Sequence, residues 1–202
     1  MDLKALFNLY KNVVLKPKPT FANEAKKENL KIMDGYKHFL IGGAIYSVFF
    51  IPYYLLMQSL SSAFSSSAIA AKTMISFPVT IVLNLLTILI GPFITVGIYY
   101  VIAAILGGKC KFNKLFYLVS LYTAPFLIIT SILLYLNLIP CLGALILLAV
   151  VLYGFYVLTI AIKSAYKFST LKAVVVWLVP TLVMVVISFA AGMYFAAKAL
   201  GI

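Results

Sequence analysis

Five long apolar stretches without a charged side chain constrain the fold of this chain more than any other feature of its sequence. They cover residues 39–60, 75–106, 115–136, 140–162 and 173–197. A helix needs roughly 20 mostly apolar residues to cross a hydrocarbon core about 30 Å thick, and a charge near its centre is strongly disfavoured. The pattern predicts an all-α polytopic membrane helical bundle with five transmembrane helices, forming a membrane domain at residues 39–197.

The overall composition supports a membrane environment. Of the 202 residues, 65% are hydrophobic and only 10% are charged. A soluble domain typically has about 45–50% apolar and about 25% charged residues. One globular core cannot hide such an excess, because a small domain still needs a polar surface. We therefore expect the lipid bilayer to be the main partner of the chain.

The distribution of lysines predicts how the spans are oriented. Every basic residue is a lysine; eight lie in residues 1–38, three in the loop after the second span and three in the loop before the fifth. Alternation of the spans puts all of these on one side and leaves Lys72 and Lys198 on the other. Because lysine-rich loops stay in the cytoplasm, we expect the amino terminus inside and the carboxyl terminus outside.

The second span is too long for a simple crossing. Its 32 residues, 75–106, would form a straight helix about 48 Å long. Gly91 and Pro92 lie at its middle, where proline removes a backbone hydrogen bond and favours a kink. A broken or re-entrant pair of shorter helices is the alternative. We favour one long, kinked or tilted helix, because a re-entrant pair would move the lysine-rich loop that follows to the outside.

Residues 1–38 form a separate cytoplasmic segment that precedes the spans. Its first part has apolar residues at helical spacing, namely Leu3, Leu6, Phe7, Tyr10, Val13 and Val14. A basic amphipathic helix of this kind is typical of segments that lie in the membrane interface. Pro17 and Pro19 are expected to end this helix, and a second polar helix is expected to run from Thr20 towards Asp34. A flexible tail is the alternative interpretation.

The missing carboxylates argue against an enzyme. All four acidic residues precede residue 35, so no paired acids are available at membrane depth for hydrolysis or for a proton relay. His38, at the edge of the first span, is expected to be an interface residue. No catalytic triad, metal cluster or cofactor site can be assembled. Nucleic acid is not an expected partner either, because the lysines lie between apolar runs and not on one solvated face.

A few polar and small residues lie inside the spans. Thr80, Asn84 and Thr87 share one face of the second helix, just before Gly91 and Pro92. They could line a solute pathway, or they could bond to a neighbouring helix, as Asn and Thr do in lipid. Small residues that predict close helix contacts, internal or between subunits, are Gly43 and Ser47 in the first span and Ser188, Gly192 and Ala196 in the fifth.

The loop residues resemble those of the Ypt-interacting-protein (Yip) family of integral membrane proteins. The similar segments are Pro17-Lys18-Pro19-Thr20-Phe21, Gly107-Gly108-Lys109 followed by Phe112, Tyr122 and Pro125, and Lys163 to Ala173 leading into Pro180. The resemblance implies five spans, an internal amino terminus and a role in membrane trafficking and organisation. It implies no catalytic residue. The chain lacks the acidic Asp-Leu-Tyr-Gly-Pro sequence of eukaryotic members, which are associated with small GTPases, and resembles the shorter prokaryotic type.

These observations give a main hypothesis and two alternatives. Glycines 107 and 108 are expected to end the second helix. The lysines expected to contact anionic lipid headgroups are Lys109, Lys111, Lys114, Lys163 and Lys167, unless they only fix the orientation. The main hypothesis is a non-enzymatic, membrane-organising protein of a prokaryotic cell membrane, with a protein partner or as a homo-oligomer. The alternatives are a channel or facilitator for a small solute or ion, and a lipid-modifying enzyme using Lys109 and His38.

Overall fold

The structure of the chain is a computed structural model that describes residues 2–64, 77–139 and 141–200. All regular secondary structure in these three ranges is helical. The elements are α1 (Leu3–Leu15), α2 (Pro17–Glu24), α3 (Ile32–Phe64), α4 (Phe77–Ile105), α5 (Phe112–Leu133) with a short 3₁₀ helix (Leu134–Leu138), α6 (Leu142–Tyr166) and α7 (Thr170–Leu200).

Helices α3 to α7 are each long and apolar enough to cross a bilayer. Their candidate spans are Ile32–Leu60, Phe77–Ile105, Phe112–Leu138, Leu142–Tyr166 and Thr170–Lys198. The predicted all-α, polytopic membrane bundle is therefore confirmed. The predicted span starts at residues 75 and 140, and the loop residue Lys72, lie outside the described residues.

Helix α4 is continuous through Gly91 and Pro92. It runs from Phe77 to Ile105 without interruption, and Pro92 is buried inside the bundle. The backbone group that a proline leaves without its usual partner can be accommodated in a membrane helix by its neighbours. The structure thus has one long helix where the sequence also allowed a re-entrant pair.

Helix α1 ends just before the prolines near residue 17, as predicted, but the predicted start of the second helix at Thr20 is wrong, because that helix begins at Pro17. Helix α1 stops at Leu15, and Pro17 occupies the first turn of α2, where its missing N–H costs nothing. The expected long polar helix towards Asp34 is also wrong. Helix α2 ends at Glu24, and Asn29 has a left-handed backbone conformation (φ 58°) that separates it from α3.

The centre of the bundle is the contact between α3 and α5. Helix α5 is the most enclosed span, with every residue from Leu115 to Leu121 buried. Two glycines on α3 allow the close approach: a Cβ on Gly35 would lie 2.9 Å from the Tyr117 Cα, and one on Gly42 would lie 2.7 Å from the Ala124 Cα. Small residues at such crossings are a common device in lipid, where close packing drives helix association.

Helices α1 and α2 pack against this bundle and do not form a flexible tail. Leu6, Tyr10 and Val13 of α1 are buried, and Phe21 of α2 is completely enclosed. The Tyr153 hydroxyl of α6 donates a hydrogen bond to the Val14 carbonyl. The segment that resembles the Yip proline motif therefore ends in a buried aromatic anchor.

Helix α7 is attached mainly by its first turns. Ala173 and Val176 are buried, and the Trp177 indole stacks on Phe155 of α6 with ring centroids 4.4 Å apart. From Leu182 to Tyr194 the large apolar side chains are exposed. Gly192, predicted to be at a close helix contact, has no atom within 4 Å of the position of an added Cβ among the described residues.

The contact between α3 and α5 predicts a clear difference between two glycine substitutions. We expect Gly42→Ala to destabilise the protein by about 1–3 kcal/mol, because its Cβ would meet backbone atoms of α5 that cannot rotate away. Gly192→Ala is the control, and it should leave stability unchanged or raise it slightly, since alanine favours helix over glycine. Unfolding in mixed micelles followed by circular dichroism measures both. Equal stabilities for the two variants would contradict the assignment.

Candidate functional site

The site residues predicted from the sequence lie in two regions of the bundle. The first is the end where α3, α5 and α7 begin and α4 and α6 end; we call it the lysine-rich end. The second is a cavity inside the membrane-spanning part. The lysines Lys109, Lys111, Lys114, Lys163 and Lys167 lie at the lysine-rich end, and Thr80, Asn84, Thr87, Gly91 and Pro92 line the cavity.

Gly107 and Gly108 shape the turn between α4 and α5. Gly107 has φ 82°, which favours glycine, and the Gly108 N–H donates to the Ala103 carbonyl at 2.8 Å, closing the end of α4. A Cβ on Gly108 would lie 2.6 Å from the Tyr166 ring and 2.7 Å from the Phe168 ring. The α4–α5 turn therefore sits directly against the α6–α7 turn.

The two turns bring their lysines onto one surface. Lys109, Lys111, Lys163 and Lys167 are exposed, and Lys114 is half-buried. Lys172 joins the turns by donating from its Nζ to the Leu106 carbonyl at the end of α4, at 3.1 Å. A lysine that bonds the last carbonyls of a helix also interacts favourably with its dipole.

A polar cluster that is mostly buried, with Lys27 half-exposed at its edge, holds the amino-terminal helices to the lysine-rich end. It consists of five side chains, and we call it the clamp cluster: Tyr10, Glu24, Lys27, His38 and Tyr117. The Tyr117 hydroxyl donates to Glu24 Oε2 at 2.5 Å, and Lys27 Nζ lies 2.7 Å from the same oxygen. Tyr10 and His38 Nδ1 share a hydrogen bond of 2.9 Å.

His38, at the edge of the first span, is enclosed by neighbouring side chains at the lysine-rich end. It is 5% exposed, between the rings of Tyr10 and Tyr117, at centroid distances of 5.6 and 5.7 Å. Burial raises the pKa of Tyr10, so that phenol stays protonated beside the histidine. The sequence carried little signal for this cluster, apart from the Glu24–Lys27 spacing, because its members are far apart along the chain.

The cavity has a volume of about 1030 Å³ and is lined mainly by α3, α4 and α5, while Leu147 and Val151 of α6 complete its wall. Its lining combines apolar side chains with the hydroxyl and amide groups of α4. Of the residues at family-motif positions, Tyr122 lines the cavity and Pro125 is buried within α5. A volume near 1,000 Å³ is at the upper end of the range typical of ligand pockets.

Asn84 both contacts a neighbouring helix and lines the cavity, the two alternatives that the sequence left open. Its Oδ1 accepts a hydrogen bond from the Ser47 hydroxyl of α3 at 2.7 Å, and the residue also lines the cavity. Gly43, on the same helix as Ser47, faces Ile88 of α4 at close range. The Thr87 hydroxyl donates to the Leu83 carbonyl of its own helix. Asn84 is thus both a helix-contact residue and a polar point on the cavity wall.

The arrangement offers binding surfaces more than reactive groups. Within the described ranges, no group of three or more His, Cys, Asp and Glu residues could hold a metal ion. The four carboxylates and the histidine lie outside the cavity lining; they are Asp2, Glu24, Glu28, Asp34 and His38. The described part of the chain thus has a basic surface at one end and a mostly apolar cavity within the spans.

Comparison with known proteins agrees with the resemblance found in the loops. A family model described as the Yip1 domain matches residues 11–192, which is most of the chain. No curated protein and no solved structure matches the chain.

The clamp cluster predicts that one hydroxyl secures the amino-terminal helices. We expect Tyr117→Phe to loosen α2 by about 1–3 kcal/mol, because it removes the hydrogen bond to the Glu24 carboxylate. Hydrogen exchange of residues 17–31 in micelles should become faster. Tyr100→Phe is the matched control, since the Tyr100 hydroxyl has no hydrogen-bond partner in the described part of the chain. Exchange that is equally slow in both variants would refute the role of the cluster.

Proposed function

Because the chain belongs to the Yip1-domain family of multi-pass membrane proteins, we propose that it is a non-enzymatic organiser of a prokaryotic cell membrane. In this proposal its lysine-rich end faces the cytoplasm and binds anionic lipid headgroups. The amino terminus is then inside and the carboxyl terminus outside. A protein partner, or a second copy of the chain, uses the same cytoplasmic face.

The observation that carries the proposal is the convergence of two lysine-bearing turns on one surface. Gly108 seats the α4–α5 turn against Tyr166 and Phe168, and Lys172 ties it to the start of α7. The surface is therefore held in place by backbone and ring contacts. A lysine near an anionic leaflet contributes about 1 kcal/mol of attraction, so several fixed lysines give a marked preference for anionic lipid.

Helix α1 extends this surface into the membrane interface. Its buried residues Leu6 and Tyr10 face the bundle, while Leu3 and Phe7 on the adjoining flank are 80% and 68% exposed. Apolar side chains beside lysines are typical of a helix that rests in the interface of an anionic membrane. The clamp cluster fixes the position of α1 relative to the spans, through Tyr10 and His38.

A second candidate function is a facilitator for a small solute. The cavity of about 1030 Å³ and the polar face of α4 around Asn84 favour it. Polar residues and helix breaks inside spans often mark transport sites. The continuous course of α4 through Pro92 weighs against it, since transporters typically unwind a helix at the binding site.

Anionic lipid should be enriched around the lysine-rich end. Trp177 is the single tryptophan of the chain and lies near the start of α7, so its fluorescence reports on lipids close to that end. In vesicles that mix phosphatidylglycerol and phosphatidylcholine, brominated phosphatidylglycerol should quench Trp177 more than brominated phosphatidylcholine. Replacing Lys109, Lys111, Lys114, Lys163 and Lys167 by glutamine should lower this preference at least about twofold.

Two controls make this measurement specific. Lys198→Gln, at the far end of α7, should leave the preference unchanged. Raising the salt concentration should weaken the preference of the wild-type chain, because exposed charges are screened. An equal preference in the wild type and the five-lysine variant would refute lipid binding at these lysines.

Cysteine labelling separates the two candidate functions. In a chain with Cys110 and Cys141 replaced by serine, we expect Leu83→Cys in the cavity wall not to react with a charged, membrane-impermeant thiol reagent in vesicles. A cysteine in place of Lys198, near the end of α7, is the positive control and should react. Rapid, complete reaction at position 83 would show a water-filled pathway and support the facilitator.

A further inference from the structure

The cavity is an elongated slot that follows α4 along most of the span. Thr80 and Tyr99, both on α4, line its two ends. Nineteen residues of helix separate them, which is about 28 Å and close to the thickness of the hydrocarbon core. A narrower branch of about 190 Å³ continues between α5 and α6 and shares Tyr122 and Val151 with the slot.

The slot exists because α4 and α6 are held apart. The first turns of α7 bridge them at the lysine-rich end, where Lys172 contacts α4 and Trp177 donates to Thr159 of α6 at 2.9 Å. Beyond Leu182 the apolar side chains of α7 are exposed, and the described residues leave the gap uncovered. The slot is therefore open sideways to the hydrocarbon, and its mostly apolar walls favour a hydrocarbon chain over water.

One group on the wall requires a hydrogen-bond acceptor. The Ser47 hydroxyl lies 2.7 Å from the Asn84 side-chain oxygen and 2.9 Å from the Gly43 carbonyl, and no residue that the structure describes accepts a hydrogen bond from the Asn84 amide N–H₂. An amide left unpaired in an apolar medium is unfavourable, so an occupant with an acceptor oxygen is preferred to a plain hydrocarbon. The Thr87 hydroxyl does not need an acceptor from an occupant, because it already donates a hydrogen bond to the Leu83 carbonyl of its own helix.

The position of Asn84 along α4 indicates which part of a lipid molecule lies beside it. Helix α4 ends at Ile105, at the lysine-rich end, where Gly107 and Gly108 turn the chain. Asn84 is 21 positions from Ile105, which is about 31 Å along the helix and close to the thickness of the hydrocarbon core, so Asn84 lies near the far boundary of that core. This is the level at which the chains of a glycerolipid join their glycerol linkage.

We propose that the slot is a binding site for one hydrocarbon chain of a glycerolipid from the leaflet opposite the lysine-rich end, with its linkage oxygen accepting a hydrogen bond from Asn84. The inference goes beyond the proposed function, because it uses none of the lysines and requires no anionic headgroup. Its experiment therefore uses a neutral lipid, so that the two proposals can fail separately.

Two glycines of α4 provide a matched pair of variants. A Cβ on Gly91, which lines the slot, would meet only Thr87 at 3.6 Å, so a larger side chain there projects into the open space. A Cβ on Gly97 would meet no atom of the described residues within 4 Å, and Gly97 is not among the residues that line the slot. Gly91→Leu and Gly97→Leu make the same chemical change on the same helix, and only the first fills the cavity.

The test is the number of lipids retained after purification. Each protein is reconstituted in palmitoyl-oleoyl phosphatidylcholine nanodiscs, released into mild detergent and examined by native mass spectrometry. We expect the wild type and Gly97→Leu to retain one lipid, and Gly91→Leu to retain at least about tenfold less. Equal retention by the two leucine variants, or no retained lipid in the wild type, would overturn the proposal.

A second pair of variants tests the polar anchor by itself. Asn84→Leu should lower retention about fivefold, because the acceptor oxygen of the lipid loses its donor. Thr87→Val is the control on the same wall and should retain as much lipid as the wild type. Unchanged retention in Asn84→Leu would overturn the assignment of Asn84 as the anchor.

Discussion

The close crossing of α3 over α5 is the contact on which the rest of the structure depends. In lipid, apolar side chains gain little by leaving the solvent, so helices associate through close packing and hydrogen bonds. Gly42 brings α3 against the backbone of α5, and its neighbour Gly43 faces Ile88 of α4. The paired glycines thus let one helix contact two others at the same level. Helices α6 and α7 and the amino-terminal segment are arranged around this centre.

This arrangement leaves each end of the molecule with a different character. At the lysine-rich end, the glycine turn after α4 and the clamp cluster fix two lysine-bearing turns and helix α1 in one layer. Towards the other end, α7 makes little contact with the bundle, and the slot beside α4 stays open. A rigid basic surface and an open apolar slot suit a protein that holds lipids and partners in place. They supply little for covalent chemistry.

The features that could be predicted from the sequence are those that depend on the local preference of each segment for lipid or for water. Lipid selects against charge in every span, so the five helices and the grouping of lysines follow from local composition. Contacts between distant positions could not be predicted this way. Tyr117 and Glu24 are separated by 93 positions, and Tyr10 and His38 by 28. The start of α2 at Pro17 is ambiguous in the sequence, since proline suits both the end of one helix and the start of the next. The cavity depends on the spacing of α4 and α6, which no single segment encodes.

A structure determined in a lipid nanodisc, by electron cryomicroscopy with a bound antibody fragment, tests the account most directly. It would show the space between α4 and α6 with its natural surroundings present. We predict one elongated density in the slot that passes Asn84, and lipid headgroups at the lysines of the two turns. A slot filled with ordered water from end to end, or α4 packed directly onto α6, would contradict the view that this protein organises lipids.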